Sequence, residues 1–566
     1  PQGTLYGRNA TAGVVNMIPA KPRLGRFDGE AQGEVGNYGS TRLRGMINVP
    51  LGDNFAIRGA GSWTKRKGFD YNTVTGKQVN GRDLWSTRLS ALWEPSDNFR
   101  VSAIWEHFNE DDNRSRTGKQ LCTRADNASE FAYPEGYVAP PGQPQDSYQL
   151  YEVWTVSTLT SGCQNKSLFT DESNGVPNGI ANPLITGLML SSVLPFGPFA
   201  AGRYVQPGID PFVSDNGKQS ANLREIATVY DPVFRAKNDV FQLNLEHDIG
   251  ESLHFFSQSL YMEDKYFGSQ DFFRFDSAPS FSRKEAYTDS PFFTPFVTNG
   301  PFKGRWEMWL PYLGTSTERG GVFCDPQVGC HDHAVAIDVA ESKSKQWSQE
   351  FRLQSSFDGP VNFNLGANYV DFKTREEYTV YSNVATITAL GFNAAPNCWP
   401  TAPEGPDKGK GCVYIDPNPI GVGPKEGHNY LRNISDAKIR SMAAFGELYW
   451  KVTDTLKVTA GLRYTDDKKT QAIIPSQFLT STNVQTGGNV DRGYPQDGER
   501  VQKWGRFTGR FAVDWKPDLS FTDSTLVYGS YARGYKAGGS DPRGNDFSAT
   551  TSYTRLARRF GPGGGN

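Results

Sequence analysis

The sequence has no long apolar run and few of the residues that usually carry catalysis. No stretch of roughly 18 or more consecutive residues is apolar and mean hydropathy is −0.55, which excludes a transmembrane helix. Its 59 basic and 61 acidic residues give a net charge of −2, so the chain has no excess of positive charge that would indicate a nucleic-acid partner. The chain has only six histidines and no G-x-S-x-G or Walker sequence, so no known catalytic motif is recognisable. We therefore expect neither an enzyme nor a bound cofactor.

Glycine and aromatic residues are abundant instead. The chain contains 60 glycines, 36 phenylalanines, 25 tyrosines and 12 tryptophans, a composition that favours a turn-rich, all-β protein. The lack of an apolar helix does not exclude a membrane. A membrane-spanning barrel alternates lipid-facing and lumen-facing residues, so its average hydropathy stays low.

Stretches of roughly ten residues alternate apolar and polar side chains, the period-2 pattern of a strand whose two faces meet different surroundings. In "LKVTAGLRYT", Leu456, Val458, Ala460, Leu462 and Tyr464 oppose Lys457, Thr459, Gly461, Arg463 and Thr465. The same pattern occurs at residues 347–355, 361–369 and 506–516. Residues 100–108 and 443–450 do not sort cleanly, and their faces stay open. Aromatic residues recur at strand ends and predict interfacial girdles, at Trp63, Trp85, Trp93, Trp105, Trp347, Tyr464 and Trp515.

The connections between strands alternate strictly between short and long. Short ones lie near residues 50, 94, 247, 357, 451 and 516, and long polar inserts separate them. The largest inserts cover about residues 111–235, 266–344, 376–434 and 468–503, an asymmetry typical of outer-membrane barrels. We predict a transmembrane antiparallel up-and-down β-barrel with one short-turn rim. About 13 strands are recognisable, and because closed single-chain barrels have even numbers, we expect the chain to be part of a longer one.

The six cysteines lie in the long inserts as three local pairs: Cys122 with Cys163, Cys324 with Cys330, and Cys398 with Cys412. Disulfides that staple loops without a packed core fit an oxidising compartment, although six cysteines allow 15 pairings. Cys324, Cys330, His331 and His333 also suggest zinc, but their spacing is not that of a zinc site. Residues 109–114 are acidic enough for calcium but lack an EF-hand's ladder of ligands. We expect disulfides and no metal.

The first 22 residues, "PQGTLYGRNATAGVVNMIPAKP", resemble the end of the plug domain of TonB-dependent outer-membrane receptors. The blocks at residues 349–355, 445–469 and 528–539 look like barrel strands of the same family. The residues that carry the plug motif are Gly3, Leu5, Tyr6, Gly7, Arg8, Asn9 and Gly13. For Arg8, two roles stay open: an ion pair with an inward carboxylate of the barrel wall, or a local hydrogen bond in a turn.

The resemblance implies a barrel of 22 strands with a plug domain in its lumen. Residues 1–25 would be the C-terminal end of that plug and residues 26–566 the barrel with its long extracellular loops. Most of the plug, the TonB box and the last strands would be missing from this chain.

The implied function is TonB-dependent import of a scarce nutrient across the bacterial outer membrane, with a ferric siderophore or similar iron chelate as the expected cargo. The implied partners are the TonB–ExbB–ExbD complex, a small-molecule ligand and outer-membrane lipid. The alternatives are a passive porin-like channel, or uptake of an oligosaccharide or cobalamin by the same mechanism. A secreted all-β binding protein is disfavoured, because it would not expose Phe507, Phe511 and Trp515 in one row.

Two sets of side chains are candidates for ligand contact. The alternation places nine charged residues on the lumen side: Arg42, Arg44, Arg58, Arg88, Glu350, Arg352, Arg463, Arg506 and Arg510. They would form either a basic lumen that attracts an anionic ligand or, as we favour, a solvated wall with salt bridges to the plug. Five aromatic residues in the loops would contact ligand or, more commonly, pack the loop itself: Trp154, Trp306, Trp309, Trp399 and Tyr414.

Overall fold

A computed structural model describes residues 17–124, 163–164, 166–176, 218–276, 323–331, 335–383, 386, 419–420, 431–474, 477–478 and 498–539. Their main feature is a 14-stranded antiparallel sheet, in which 13 strands follow one another in sequence order and a short one, Gln477–Phe478, pairs beside them. Within these residues, no helix has the length and apolarity needed to cross a membrane. The predicted all-β, up-and-down arrangement is confirmed.

The 13 strands lengthen along the chain before shortening again. They are β1 (Asp28–Gly36), β2 (Ser40–Pro50), β3 (Phe55–Arg66), β4 (Arg82–Ser96), β5 (Phe99–Asp112), β6 (Val233–Ile249), β7 (Leu253–Asp271), β8 (Ala336–Ser355), β9 (Val361–Ser382), β10 (Leu431–Lys451), β11 (Leu456–Ala472), β12 (Glu499–Trp515) and β13 (Val527–Arg533). Gln477–Phe478 pairs with β10. Several strands continue further into the inserts than the alternation of the sequence indicates.

The sheet has two chemically distinct faces. Large apolar side chains stand exposed on one, which we call the apolar face: Leu462 is 59% exposed, Phe507 57% and Phe511 50%. The register places Phe351, Ala367, Ala444, Tyr464 and Phe507 in one row across five strands of this face. The opposite face carries mainly polar and charged side chains, and we call it the polar face. Such alternation is what a strand between lipid and an aqueous interior requires.

The register also assigns the two stretches that the sequence left open. In residues 100–108, Trp105 lies on the apolar face and Glu106 on the polar face, where it is paired with Arg88 on β4. In residues 443–450, Leu448 and Trp450 are exposed while Phe445 is buried on the polar face. An apolar residue on the polar face therefore breaks the period-2 pattern in the second stretch.

Aromatic residues form a girdle on the apolar face, which crosses the longer strands near their middle. The aromatic girdle consists of Trp63, Trp85, Trp105, Phe241, Tyr261, Trp347 and Tyr369. Its polar tips point to carboxylates: Trp105 donates to Asp239 at 3.2 Å and Tyr261 to Glu263 at 2.5 Å. Rings with an apolar body and a hydrogen-bonding tip suit a boundary between hydrocarbon and head groups.

One connection departs from the predicted alternation. The strands β1 and β2 are joined on the long-insert rim by only three residues, Asn37–Gly39, so the expectation of strict alternation is wrong there. Tyr38 and Gly39 have φ of 61° and 60°. Two consecutive left-handed residues close a tight hairpin, which needs no insert. The other connections follow the predicted order of short turns and long inserts.

Candidate functional site

The structure places all nine charged lumen candidates on the polar face. Three of the arginines have carboxylate partners: Arg88 Nε lies 2.5 Å from Glu106, Arg352 Nε 3.1 Å from Glu350, and Arg42 3.7 Å from Glu34. Sequence reasoning missed Glu34 and Glu106. The alternation of the sequence assigns no face to residues 100–108, and only the strand register sets Glu106 opposite Arg88.

The remaining five residues differ in their surroundings. Arg463 is only 3% exposed and donates to Asn368 Oδ1 and Thr465 Oγ1, both at 3.0 Å. Arg506 donates to the carbonyl of Gly505. Arg44, Arg58 and Arg510 form no ion pair with another described residue. The polar face therefore combines neutralised arginines with separate cationic positions.

A cleft of about 480 Å³ lies on this face between β1 and β6. Its charged lining comes from Glu30, Arg44, Arg88 and Glu106, with Ser62 and Ser86 between them. The two serine hydroxyls lie 2.8 Å apart and are hydrogen-bonded. The cleft thus presents both signs of charge and hydroxyl groups, which suits a polar ligand or a polar protein segment.

The segment before β1 is fixed to the polar face at the short-turn rim. The Asn48 side chain, which is completely buried, accepts from Arg23 N at 2.8 Å and donates to the carbonyls of Arg23 at 2.9 Å and Arg26 at 2.7 Å. Lys21 forms a 2.7 Å ion pair with Glu246 on β6. Residues 21–26 are therefore held against two separate strands of the sheet.

At the opposite rim, parts of the inserts form a separate structure, which we call the loop layer: residues 67–81, 113–124, 166–176, 218–232, 272–276 and 323–331. A three-stranded sheet joins two inserts, with Glu225–Ile226 parallel to Asp70–Asn72 and Lys77–Val79 antiparallel to it. The fully buried Asn72 amide donates to Thr228 and Asp231 across these inserts. Side-chain hydrogen bonds between distant residues make the loop layer a defined platform.

The loop layer is also tied to the strands beneath it. Arg116 reaches Asp338 on β8 at 2.7 Å, and Tyr378 on β9 donates to the same carboxylate at 3.1 Å. Burial raises the pKa of Asp338, and it also raises the pKa of Tyr378. An apolar cluster lies beside this network, formed by Val328, Val335, Ile337, Val339 and Tyr381.

Two carboxyls near the rim have strongly raised pKa values. Burial raises the pKa of Asp271 to about 7, although the backbone N–H groups of Arg274 and Val229 donate to it. Burial, and then the neighbouring Asp112, raise the pKa of Glu110 to about 7. Both groups lie above the aromatic girdle, where the inserts begin.

The loop layer contains a cleft of about 400 Å³ lined by Lys119, Lys218 and Glu225, among others. Lys119 Nζ donates to the carbonyls of Ser220, Asn222 and Glu225. Because its three N–H groups are all used, Lys119 fixes the insert and does not offer a free cation. Burial lowers the pKa of this amine.

The predicted Cys324–Cys330 disulfide is confirmed, and it closes a short hairpin in which the two cysteines are directly paired. Cys122 is also disulfide-bonded, and the adjacent Thr123–Arg124 pairs with Cys163–Gln164. The pairing of Cys122 with Cys163 stays a prediction. His331 Nε2 lies 2.9 Å from the carbonyl of Val328. Within the described residues, no group of three or more His, Cys, Asp or Glu side chains forms a metal site.

Several candidates lie outside the described residues. They are the plug-motif residues Gly3, Leu5, Tyr6, Gly7, Arg8, Asn9 and Gly13, the loop aromatics Trp154, Trp306, Trp309, Trp399 and Tyr414, the cysteines Cys398 and Cys412, and His333.

Comparison with known proteins decides the family. Residues 181–566, more than half of the chain, match the family model described as "TonB dependent receptor-like, beta-barrel". The chain belongs to the TonB-dependent receptor family. Receptors of this family are bacterial outer-membrane proteins and transporters, not enzymes, and the long antiparallel sheet corresponds to their barrel. The resemblance found in the sequence is confirmed.

Solved receptors of similar structure include the ferric yersiniabactin uptake receptor FyuA from Yersinia pestis, with 14% identity and a TM-score of 0.48. The ferric-catecholate import receptor Fiu from E. coli K12 has 11% identity and a TM-score of 0.48, and the siderophore receptor PiuA from Acinetobacter baumannii has 14% and 0.45. The alignments cover 95%, 95% and 94% of this chain but 51%, 58% and 52% of theirs. The chain thus spans about half the length of these receptors.

Proposed function

We propose that the receptor imports a scarce nutrient, with a ferric siderophore or similar iron chelate as its cargo, by TonB-dependent active transport. The observation that carries this proposal is the pairing of a polar face with an interlocked loop layer at one rim. Long loops of outer-membrane barrels are extracellular. The loop layer is therefore positioned to capture a ligand from outside and pass it to the polar face below.

The arginines without carboxylate partners give the polar face its preference for anions. Arg44, Arg58 and Arg510 have no ion pair among the described residues, whereas Arg42, Arg88 and Arg352 are neutralised. An anionic chelate gains favourable electrostatic contacts only where the positive charge is not already matched. Residues 1–25, as the end of a plug in a 22-stranded barrel, would close the passage until energy is supplied.

The attachment of residues 21–26 to the sheet would hold one end of the plug in place while TonB pulls on it. Asn48 and Glu246 hold this segment to β2 and β6, so force applied to the plug from the periplasm is resisted at the barrel wall. The plug would rearrange between the site where TonB pulls and this anchor. TonB, energised by ExbB and ExbD, is the proposed partner.

Uptake measurements in cells that carry the complete receptor test the proposal. Labelled ferric siderophores, cobalamin and an oligosaccharide are supplied with and without a protonophore, and in cells lacking TonB. We expect uptake of an iron chelate that stops under both conditions while surface binding continues. Uptake that persists without the proton gradient would instead assign a passive porin-like channel, and energised uptake of another substrate would overturn the choice of cargo.

A further inference from the structure

Four cations stand side by side on the outer surface of the sheet, above the aromatic girdle. Lys237, Lys265, Lys343 and Arg375 lie on β6, β7, β8 and β9, and the register places each directly opposite the next. They share the parity of Phe241, Tyr261, Trp347 and Asp371, so they lie on the apolar face and not on the polar face. We call them the cation row.

Like charges directly opposite each other destabilise a sheet. Arg375 is partly neutralised by Asp436 at 3.4 Å. The three lysines are exposed and form no ion pair with any other described residue. Three adjacent strands therefore carry like charges side by side without an ion-pair partner among the described residues, and an anion bound across them would relieve their repulsion.

The carboxylates just below the cation row on this face already have partners. Asp239 accepts from Trp105 and lies 2.7 Å from His107 Nδ1, and Glu263 pairs with Lys345 at 2.7 Å. Asp239, Glu263 and Lys345 lie side by side between the girdle and the cation row, two residues from each along the strands. We call them the carboxylate row. They orient the girdle. The charges of Lys237 and Lys265 also act on Asp239 and Glu263, but neither carboxylate forms an ion pair with the cation row.

An apolar groove of about 600 Å³ lies on the same face, below the carboxylate row. Small residues, Ala91 and Ala103, lie opposite each other on β4 and β5, and the larger Ile57, Leu89 and Leu243 stand around them. The girdle rings Trp105, Phe241, Tyr261 and Trp347 line its upper part. The groove and the cation row are separated along β7 by the distance from Ser259 to Lys265, about 20 Å for an extended strand.

We propose that this surface is a binding site for a phosphorylated lipid of the outer leaflet. The phosphate lies across Lys237, Lys265 and Lys343, and an acyl chain lies in the groove. The long-insert rim is extracellular, so the cation row stands at head-group level of the outer leaflet. A lipid is the one ligand that presents an anion there and a hydrocarbon chain below the girdle. The site does not depend on the proposed transport.

Titration of the complete receptor with lipid tests this site. The receptor is extracted from outer membranes, exchanged into neutral detergent, and titrated with diphosphorylated lipid A and with its phosphatase-treated form, using native mass spectrometry. We expect the phosphorylated form to bind preferentially. The triple variant Lys237→Gln/Lys265→Gln/Lys343→Gln should bind it about a hundredfold more weakly, at roughly fivefold per lysine.

A matched triple variant at the short-turn rim, Lys451→Gln/Lys457→Gln/Lys516→Gln, makes the same change in net charge and should bind like the wild type. Ala103→Phe fills the groove and should weaken lipid binding while leaving the lysines intact. Equal binding of the dephosphorylated lipid, undiminished binding by the cation-row variant, or full competition by equimolar inorganic phosphate would overturn the proposal.

Discussion

Asn48 is completely buried, although it stands on a sheet face that is largely polar and accessible. Its amide uses both of its hydrogen-bonding groups on the backbone of Arg23 and Arg26. An asparagine side chain offers two donors and an acceptor oxygen, so one residue can hold an extended segment at three points. The backbone groups that it binds would lose buried partners if the amide were removed.

We predict that Asn48→Ala frees residues 21–26 from the wall. Loss of these bonds costs about 1–3 kcal/mol and raises tryptic cleavage after Arg23 and Arg26 roughly tenfold or more. Cleavage sites are identified by mass spectrometry of the folded receptor. Asn244→Ala is the matched control, because Asn244 on the same face binds Ser102 and not this segment. Equal cleavage of both variants would show that Asn48 does not anchor it.

Asp271 makes the loop layer sensitive to pH. Its pKa is raised to about 7, against about 3.9 in an unfolded chain, so the folded protein keeps this proton where the unfolded one has released it. The resulting stabilisation is complete below about pH 4 and is lost as the pH rises through about 7. We expect this loss to appear first in the hydrogen exchange of the Val229 and Arg274 N–H groups, which donate to Asp271.

We expect amide hydrogen exchange in residues 227–231 and 272–276 to lose protection between pH 5 and pH 8, after correction for intrinsic exchange rates. Asp271→Asn should lower protection at every pH, because one acceptor oxygen becomes an amide donor, but should flatten the pH dependence. Glu110, whose pKa is also raised to about 7, is present in both proteins and cancels in the comparison. An unchanged slope in the variant would refute the assignment to Asp271.

At the scale of the strands, the two faces impose different requirements on a new charge. Phe351 on β8 is 47% exposed on the apolar face and stacks with Phe255 at 6.2 Å. Gln258, on the neighbouring β7, lies on the polar face and is exposed. Since the apolar face lies against lipid, an arginine there has no water to solvate it.

Phe351→Arg should destabilise the complete receptor by about 2–4 kcal/mol, the usual effect of an arginine near the bilayer midplane of a β-barrel. Gln258→Arg should change stability by less than about 1 kcal/mol, because the side chain stays in the aqueous interior. Urea unfolding in lipid vesicles, followed by tryptophan fluorescence, measures both. Similar losses in the two variants would contradict the assignment of the faces.

The same strands show how far the sequence predicts the fold. Residues 456–465 alternate cleanly, and the structure orients them as predicted, with Leu462 and Tyr464 exposed and Arg463 buried on the opposite face. In residues 443–450, Phe445 lies on the polar face beneath the Arg463 guanidinium, 5.2 Å from its ring centre. The periodicity of one strand cannot predict such a pair, because the pair also depends on a residue of the neighbouring strand.

At the scale of the whole molecule, the predicted order of strands and inserts holds except at the turn between β1 and β2, whereas the loop layer was not predictable. The pair Arg116–Asp338 joins residues on different inserts and strands, and Asn72 meets Asp231 in the same way. No local spacing encodes contacts of this kind. The Cys324–Cys330 bond was predictable because both cysteines lie in one short stretch.

The sequential pairing of the strands has a consequence for how the sheet assembles. Each strand of the 13 pairs with its neighbours in the chain, so the sheet grows by adding one hairpin at a time and exposes a single new edge at each step. Loop-closure entropy rises only about 0.6 kcal/mol per doubling of length, so even the longest insert delays its hairpin modestly. The three-residue turn Asn37–Gly39 makes β1 and β2 the least demanding hairpin to close at the long-insert rim. Nucleation at the hairpins with the shortest turns, which are β1–β2 and, on the short-turn rim, β4–β5 and β6–β7, is the folding route that this topology favours.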